Sequence, residues 1–133
     1  MPDSLASLFP EKYVLLTTFR KTGVGVSTAV WAAQDGDEIV VTTVGSAGKV
    51  KRIRNNPAVT LQPCTMSGKV KKDAAPIAAR AEIVDDPAEF QAGTAIIAKK
   101  YGWMFRMAFR AEERRTHGRA GASGRVILRI TAA

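Results

Sequence analysis

The sequence predicts a mainly β fold: a six-stranded antiparallel sheet curled into a small closed or split barrel, with short helices on its outside. Three observations carry this expectation. Runs rich in β-branched residues recur along the chain, namely "YVLLTTF", "VGVSTAVWAA", "IVVTTV", "AVTLQPC", "PIAARAEIV" and "RVILRITA", and from Val24 to Ala33 they alternate with the period of two that a sheet requires. The segment "QDGDE" carries the Asp-Gly signal of a hairpin. Finally, six such strands have more apolar faces than one flat sheet of this size can cover, which favours curling and helices packed outside. At 133 residues and 46% hydrophobic, the chain has material for a single domain, residues 1–133, with one core.

The elements follow in order. "DSLASLFPEKY" reads as a short helix, capped by Asp3 or Ser4 and stopped by Pro10. "YVLLTTF" opens the sheet. The next strand, residues 24 to 33, sets Val24, Val26, Thr28 and Val30 on one face and Gly25, Ser27, Ala29 and Trp31 on the other. With "IVVTTV" after the Asp-Gly turn, the first 44 residues read as a three-stranded meander. The chain then turns through Gly45, Ser46 and Gly48 into a short basic helix ending before Asn56-Pro57, with Val50 and Ile53 facing the sheet. "AVTLQPC", a lysine-rich loop "TMSGKVKKDAA" and "PIAARAEIV" supply two more strands. Asp86-Pro87-Ala88-Glu89 is a capping-box arrangement with proline at the first helical position. Phe90, Thr94, Ile97 and Tyr101 share one face of that helix. A second short helix around "WMFRMAFR", the loose "HGRAGASG" and a last strand "RVILRITA" complete the chain.

The net charge is +8, and no acidic residue lies between Glu38 and Asp73, where Lys49, Lys51, Arg52, Arg54, Lys69, Lys71 and Lys72 all fall. Such asymmetry favours an anionic partner. The apolar runs are all shorter than the roughly 18 residues of a membrane span, and the opening residues lack the order of a signal peptide. A soluble, cytoplasmic protein is expected. A single cysteine, Cys64, rules out an internal disulfide and fits a reducing compartment. A lone histidine and the absence of repeats leave no structural zinc or two-histidine metal site.

Side-chain catalysis has little to work with. His117, between Arg115 and Arg119 in a glycine-rich segment, reads as a solvated loop histidine, and Cys64 as a small buried hydrophobe. If the chain is an enzyme, a cofactor does the chemistry while the protein binds and orients it. Its phosphate has a natural place where strand, Gly/Ser turn and helix N-terminus meet. Ser46 would donate to a phosphate oxygen, Gly48 would allow close approach and Lys49 would supply charge. A solvated helix face with an ordinary serine cap fits the same residues. Nucleic acid is the third reading, but single-strand binders interleave cations with stacking aromatics, and none occurs between Ala32 and Glu89. A basic helix this short, with no aromatic or leucine face, does not anchor to a membrane.

"KYVLLTTFRKTGVGVSTAVWAAQDGDEIVVTT", followed by "SAGKVKRIRNNPAVTLQPC", resembles the flavin/deazaflavin oxidoreductases of the pyridoxamine-phosphate-oxidase-like split-barrel superfamily. More narrowly, it is similar to the small actinobacterial-type branch of coenzyme F-420-dependent reductases. The likeness runs from Lys12 to about Thr131 and is carried by Ser46-x-Gly48-Lys49, "RNNPAVTL" and the "QPC" strand end. It implies an FMN-binding split-barrel fold and a homodimer with the cofactor in a groove between subunits. It implies phosphate at Ser46 to Lys49, with Lys51 or Arg54 as secondary contacts. The ring would run along Val41, Thr42 and Thr43 and the Gln62-Pro63-Cys64 strand end. Trp31 either lines the substrate side or fills the barrel. F-420 is the expected cofactor, because its phosphodiester and γ-glutamyl tail benefit from the acid-free stretch through Lys69, Lys71 and Lys72; FMN is the alternative. Where the oxidase branch has an Arg-Lys pair at the phosphate turn, this chain has Gly48-Lys49. The implied activity is hydride transfer from reduced deazaflavin to a small organic acceptor. A carrier protein for FMN, haem or deazaflavin, or an FMN-dependent oxidoreductase, is the competing reading.

Overall fold

The structure is a computed structural model that describes residues 4–44, 47–84, 86–107 and 125–133. Ser46, His117 and most of the segment after "WMF" lie outside the described residues. A four-residue 3-10 turn at Leu5–Leu8 stands where the first helix is expected. The strands are β1 (Val14–Phe19), β2 (Gly25–Val30), β3 (Ala32–Asp35), β4 (Glu38–Val44), β5 (Ala58–Pro63), β6 (Ile77–Val84) and β7 (Arg125–Ala132), with helices α1 (Gly48–Asn55) and α2 (Pro87–Tyr101). Residues 103–107 are again helical.

The sheet is antiparallel in the order β2-β1-β5-β6-β7-β4-β3. Its two edge strands are consecutive in the chain and joined by Trp31 alone. A single connecting residue keeps Val30 and Ala32 within about 7 Å, so the sheet must curl until its edges meet there. This is a split barrel with seven strands rather than the expected six. The difference has one cause: the run from Val24 to Ala33 is two strands. Its first half pairs with β1, Val14↔Val30 to Phe19↔Gly25, and its second with β4, Ala32↔Val41 to Asp35↔Glu38. The expected three-stranded meander is thus divided between opposite ends of the sheet.

Each face of the sheet has its own core. Inside the barrel, Leu16, Val30, Ile39, Val41, Leu61, Leu128 and Ile130 pack together, with Ile53 of α1 reaching in. Outside, Ala33, Val40, Val84 and Ile127 pack against Ile97 and Tyr101 of α2. Cover on both faces explains why β4 reads as a continuous apolar run rather than an alternating one. The start of α2 is as the sequence predicts: Asp86 accepts from the Glu89 N–H at 3.1 Å, with Pro87 in the first turn. At Gly93 the helix approaches β7 so closely that a Cβ would lie 3.0 to 3.2 Å from three side-chain carbons of Ile127. Gly93→Ala is therefore expected to destabilise the fold by about 1–3 kcal/mol through overpacking, despite alanine's better helix propensity. Chemical denaturation compared with Ala92→Gly, at an exposed position of the same helix, checks this.

Candidate functional site

The ladder between β3 and β4 stops at Ala32↔Val41. Had it continued, Trp31, Val30 and Ala29 would lie opposite Thr42, Thr43 and Val44. Instead the chain crosses to the other edge, and these six residues line a groove of about 290 Å³ together with Lys49 and Arg125. The groove is the split itself.

Two cations line it from separate parts of the chain, Lys49 and Arg125, and a third, Arg52, stands one turn after Lys49 on α1 and near enough to repel it. Lys49 lies in the first turn of α1. Burial, and then the nearby Arg52 and Arg125 guanidinium groups, hold its amine below the ordinary lysine value of 10.5. Arg52 is fixed by its Nε donating to the buried Thr18 hydroxyl at 2.6 Å. Arg125, opposite Val44 on β7, donates its Nε to Thr42 Oγ1 at 3.2 Å. Lys49 has no carboxylate partner among the described residues. The N-cap of α1, Ala47, makes no side-chain capping bond, and the first turn holds no acidic residue. Positive charge and the positive end of the helix dipole thus face one spot. Gly48 belongs to this arrangement: a Cβ there would sit 2.8 Å from Arg52 Nη1, so the absent side chain leaves room for the guanidinium.

Of the residues expected at the site, the structure brings Trp31, Thr42, Thr43 and Lys49 together at one groove, with Gly48 beside it. Val41 precedes them on β4, but its side chain is fully buried in the barrel. Lys51 and Arg54 are exposed on the other side of α1, where Arg54 borders a different groove with Arg80 and Glu82. Gln62, Pro63 and Cys64 lie away from the groove. Pro63 pairs with Val14, which pairs with Val30, so the β5 end stands about 10 Å from Val30, across β1. Gln62 Nε2 donates to the Ala74 carbonyl at 2.9 Å. The Cys64 thiol is buried, and burial pushes its pKa up from 9.0, the reverse of what a nucleophile needs. Of the loop lysines, Lys71 is paired with Glu11 at 3.0 Å, and none of Lys69, Lys71 and Lys72 lines the groove.

Sequence reasoning missed Arg52 and Arg125. For Arg52 a signal existed: at roughly 100° per residue, Lys49 and Arg52 stand about 60° apart on α1, while Lys51 and Arg54 stand about 140–160° from Lys49. No local signal marks Arg125, which reaches the groove only through the β4–β7 register. Trp31 does more than either expected role. It lines the groove and stacks on Tyr101, with ring centroids 4.4 Å apart and planes 9° from parallel.

No group of three or more metal-ligating side chains occurs among the described residues, nor a helix long and apolar enough to cross a membrane. No curated protein matches the chain. Solved structures share its fold at low identity. The haem storage protein HutZ from Vibrio cholerae has a TM-score of 0.65 at 16% identity, covering 92% of this chain and 82% of its own. An F-420 reductase has a TM-score of 0.60 at 22% identity, covering 100% and 96%. An FAD-binding protein from Mesorhizobium loti has a TM-score of 0.57 at 14% identity, covering 96% and 86%. The pyridoxamine 5'-phosphate oxidase family matches residues 1–133. With a split barrel for its fold and its whole length matched, the chain belongs to the pyridoxamine 5'-phosphate oxidase family.

Proposed function

We propose that this protein is an F-420-dependent oxidoreductase that transfers a hydride from the reduced deazaflavin to a small organic acceptor. The observation that carries the reading is the meeting of Lys49 and Arg125, with Arg52 behind Lys49, at a groove whose other walls are Ala29, Val30, Trp31, Thr42, Thr43 and Val44. Such a groove suits a ligand with an anionic end and a flat, largely apolar body. A solved F-420 reductase of the same fold over the full length supports the choice of cofactor. The donor set fits the group: Lys49 and Arg125 would hold its phosphate, with Arg52 adding charge behind Lys49, and Thr42, Thr43 and Trp31 would lie along its ring. When bound, the cofactor supplies the hydride. The chain's own part is to bind, orient and keep water from the ring.

The groove's volume of about 290 Å³ is at the lower end for a cofactor site. A homodimer in which a second copy covers its open side is part of the proposal. The Gln62-Pro63-Cys64 strand end would then act through that assembly. The cations sit in a concave site beside an aromatic wall rather than along an open track, which favours a small molecule over nucleic acid.

Fluorescence titration with F-420 and, separately, FMN tests the reading: saturable F-420 binding tighter than FMN binding is expected. FMN binding alone would make this a flavin protein, and binding of neither would overturn the reading. Lys49→Ala should weaken the ligand by about 1.5–3 kcal/mol through loss of a charge-assisted contact. Lys51→Ala and Arg54→Ala, on the far side of α1, should each change it by less than about 0.5 kcal/mol.

A pH dependence follows from the same lysine. Since burial and like charges lower the Lys49 pKa in the free protein, an anion seated beside it raises that pKa again, and binding takes up a proton. Affinity should be full below the lowered Lys49 pKa and fall as the pH rises through it toward 10.5. Calorimetry in buffers of different ionisation enthalpy reads the proton uptake. No uptake between neutral pH and that range would remove Lys49 from the contact.

A further inference from the structure

The groove exists because the chain changes edges at Trp31, and the side chains that hold this corner come from the far end of α2. Ala32 is 2% exposed. Its N–H donates to Tyr101 Oη at 2.9 Å and its carbonyl accepts from Lys100 Nζ. The Tyr101 hydroxyl donates in turn to the Lys12 carbonyl at 2.6 Å, and Lys100 Nζ also donates to the carbonyls of Phe9 and Glu11. One phenol and one ammonium therefore tie together three segments: the chain before β1, the Trp31–Ala32 corner and the end of α2. The phenol ring lies flat against the Trp31 indole, and Lys100 Nζ lies 5.3 Å from the phenol centroid.

We propose that Tyr101 and Lys100 are positioning residues for ring binding: they hold Trp31 as the wall against which a planar heteroaromatic ring lies, although neither lines the groove. The inference rests on the flavin or deazaflavin reading of the site. A half-buried indole on a loop-like corner would otherwise sample several rotamers. Here one face is stacked on Tyr101, so the remaining surface toward the groove is preorganised, and a ligand does not meet the cost of ordering it. The phenol is suited to a permanent donor role, because burial pushes its pKa up to about 12. The cations of the groove come from other elements, α1 and β7. Ring and phosphate are thus gripped by different supports, and disturbing one should leave the other.

The test uses Trp103→Phe as background, since Trp103 is 68% exposed and the chain has two tryptophans; emission then reports Trp31 alone. Into it go Tyr101→Leu, which removes the stack, Tyr101→Phe, which keeps the ring and removes the hydroxyl, and Lys100→Met. Three quantities are measured: acrylamide quenching of Trp31, affinity for whichever of F-420 and FMN the background protein binds, and affinity for inorganic phosphate. In Tyr101→Leu and Lys100→Met, Trp31 should become more accessible to acrylamide. Ring-bearing ligands should weaken about tenfold or more through lost aromatic preorganisation, while phosphate stays within about twofold. Tyr101→Phe should show a smaller change in the same direction. Should Tyr101→Leu fail to fold, the other two variants decide. Unchanged quenching and ring affinity in folded variants would overturn the inference, as would equal loss of ring and phosphate affinity, the sign of a merely structural role. Failure of the functional reading shows elsewhere, as absence of F-420 and FMN binding in the background protein, and takes the inference with it.

Discussion

A buried main-chain amide and carbonyl must find partners, and at Ala32, the first residue of edge strand β3, no strand lies on the outer side to provide them. Left unpaired, each group would cost about 1–3 kcal/mol, enough to matter in a domain of this size. The end of α2 replaces the missing strand with a phenol and an ammonium, Tyr101 Oη and Lys100 Nζ. Once that corner is satisfied, the rest of the topology follows. The chain can leave β1 after Val30 and join β4 at Ala32, the sheet can have consecutive strands at its two edges, and a groove opens where the β3–β4 ladder is not continued. Lys100 also ties down the carbonyls of Phe9 and Glu11, so the segment leading into β1 depends on the same two side chains.

The electrostatics separate charges that serve the fold from charges that serve a ligand. Arg129 on β7 lies between Asp35 and Glu38, at 2.9 and 2.7 Å, across the mouth of the β3–β4 hairpin. Lys71 has Glu11, and Lys100 has three carbonyls. Each of these cations has its counter-group built in. Lys49 is different: it is half-buried, repelled by Arg52 and Arg125, and paired with no acid among the described residues. Gathering like charges there opposes folding. Protonated Lys49 is less favourable in the folded chain than in the unfolded one, so its contribution to stability improves as the pH rises through its lowered pKa toward 10.5. An anion seated beside Lys49 would reverse that cost.

How much of this could be read beforehand depends on the range of the interactions involved. The cap and first turn of α2 rest on Asp86, Pro87 and Glu89, three residues apart at most, and local chemistry settles them. Likewise Val50 and Ile53 mark the buried side of α1, and both are buried. The division of the strand at Trp31 was illegible because the alternation runs unbroken through it. The change of edge is decided by Tyr101 and Lys100, about 70 residues away in sequence, and no periodicity encodes that. The phosphate end was half legible. Lys49 stood out by its place after a Gly-rich turn, Arg52 needed only a helical wheel, and Arg125 needed the register that sets it opposite Val44.

The two ends of the groove differ in physical character, and this bears on how a shared fold comes to hold different ligands. At the Lys49–Arg52–Arg125 end the attraction is coulombic, tolerant of the exact anion and weakened by salt to the degree that solvent reaches it. At the Trp31 end it comes from contact of a rigid aromatic surface held by α2, insensitive to salt and demanding in shape. Neither end is a property of the barrel as such: the cations sit on a helix outside it and on the first residue of β7, and the wall is a strand break pinned from α2. The barrel's contribution is to bring residues 31, 49, 52 and 125 to one place and to hold them apart by fixed strand spacings. Fold likeness at 14–22% identity therefore carries the architecture alone, and any choice of ligand rests with these few side chains.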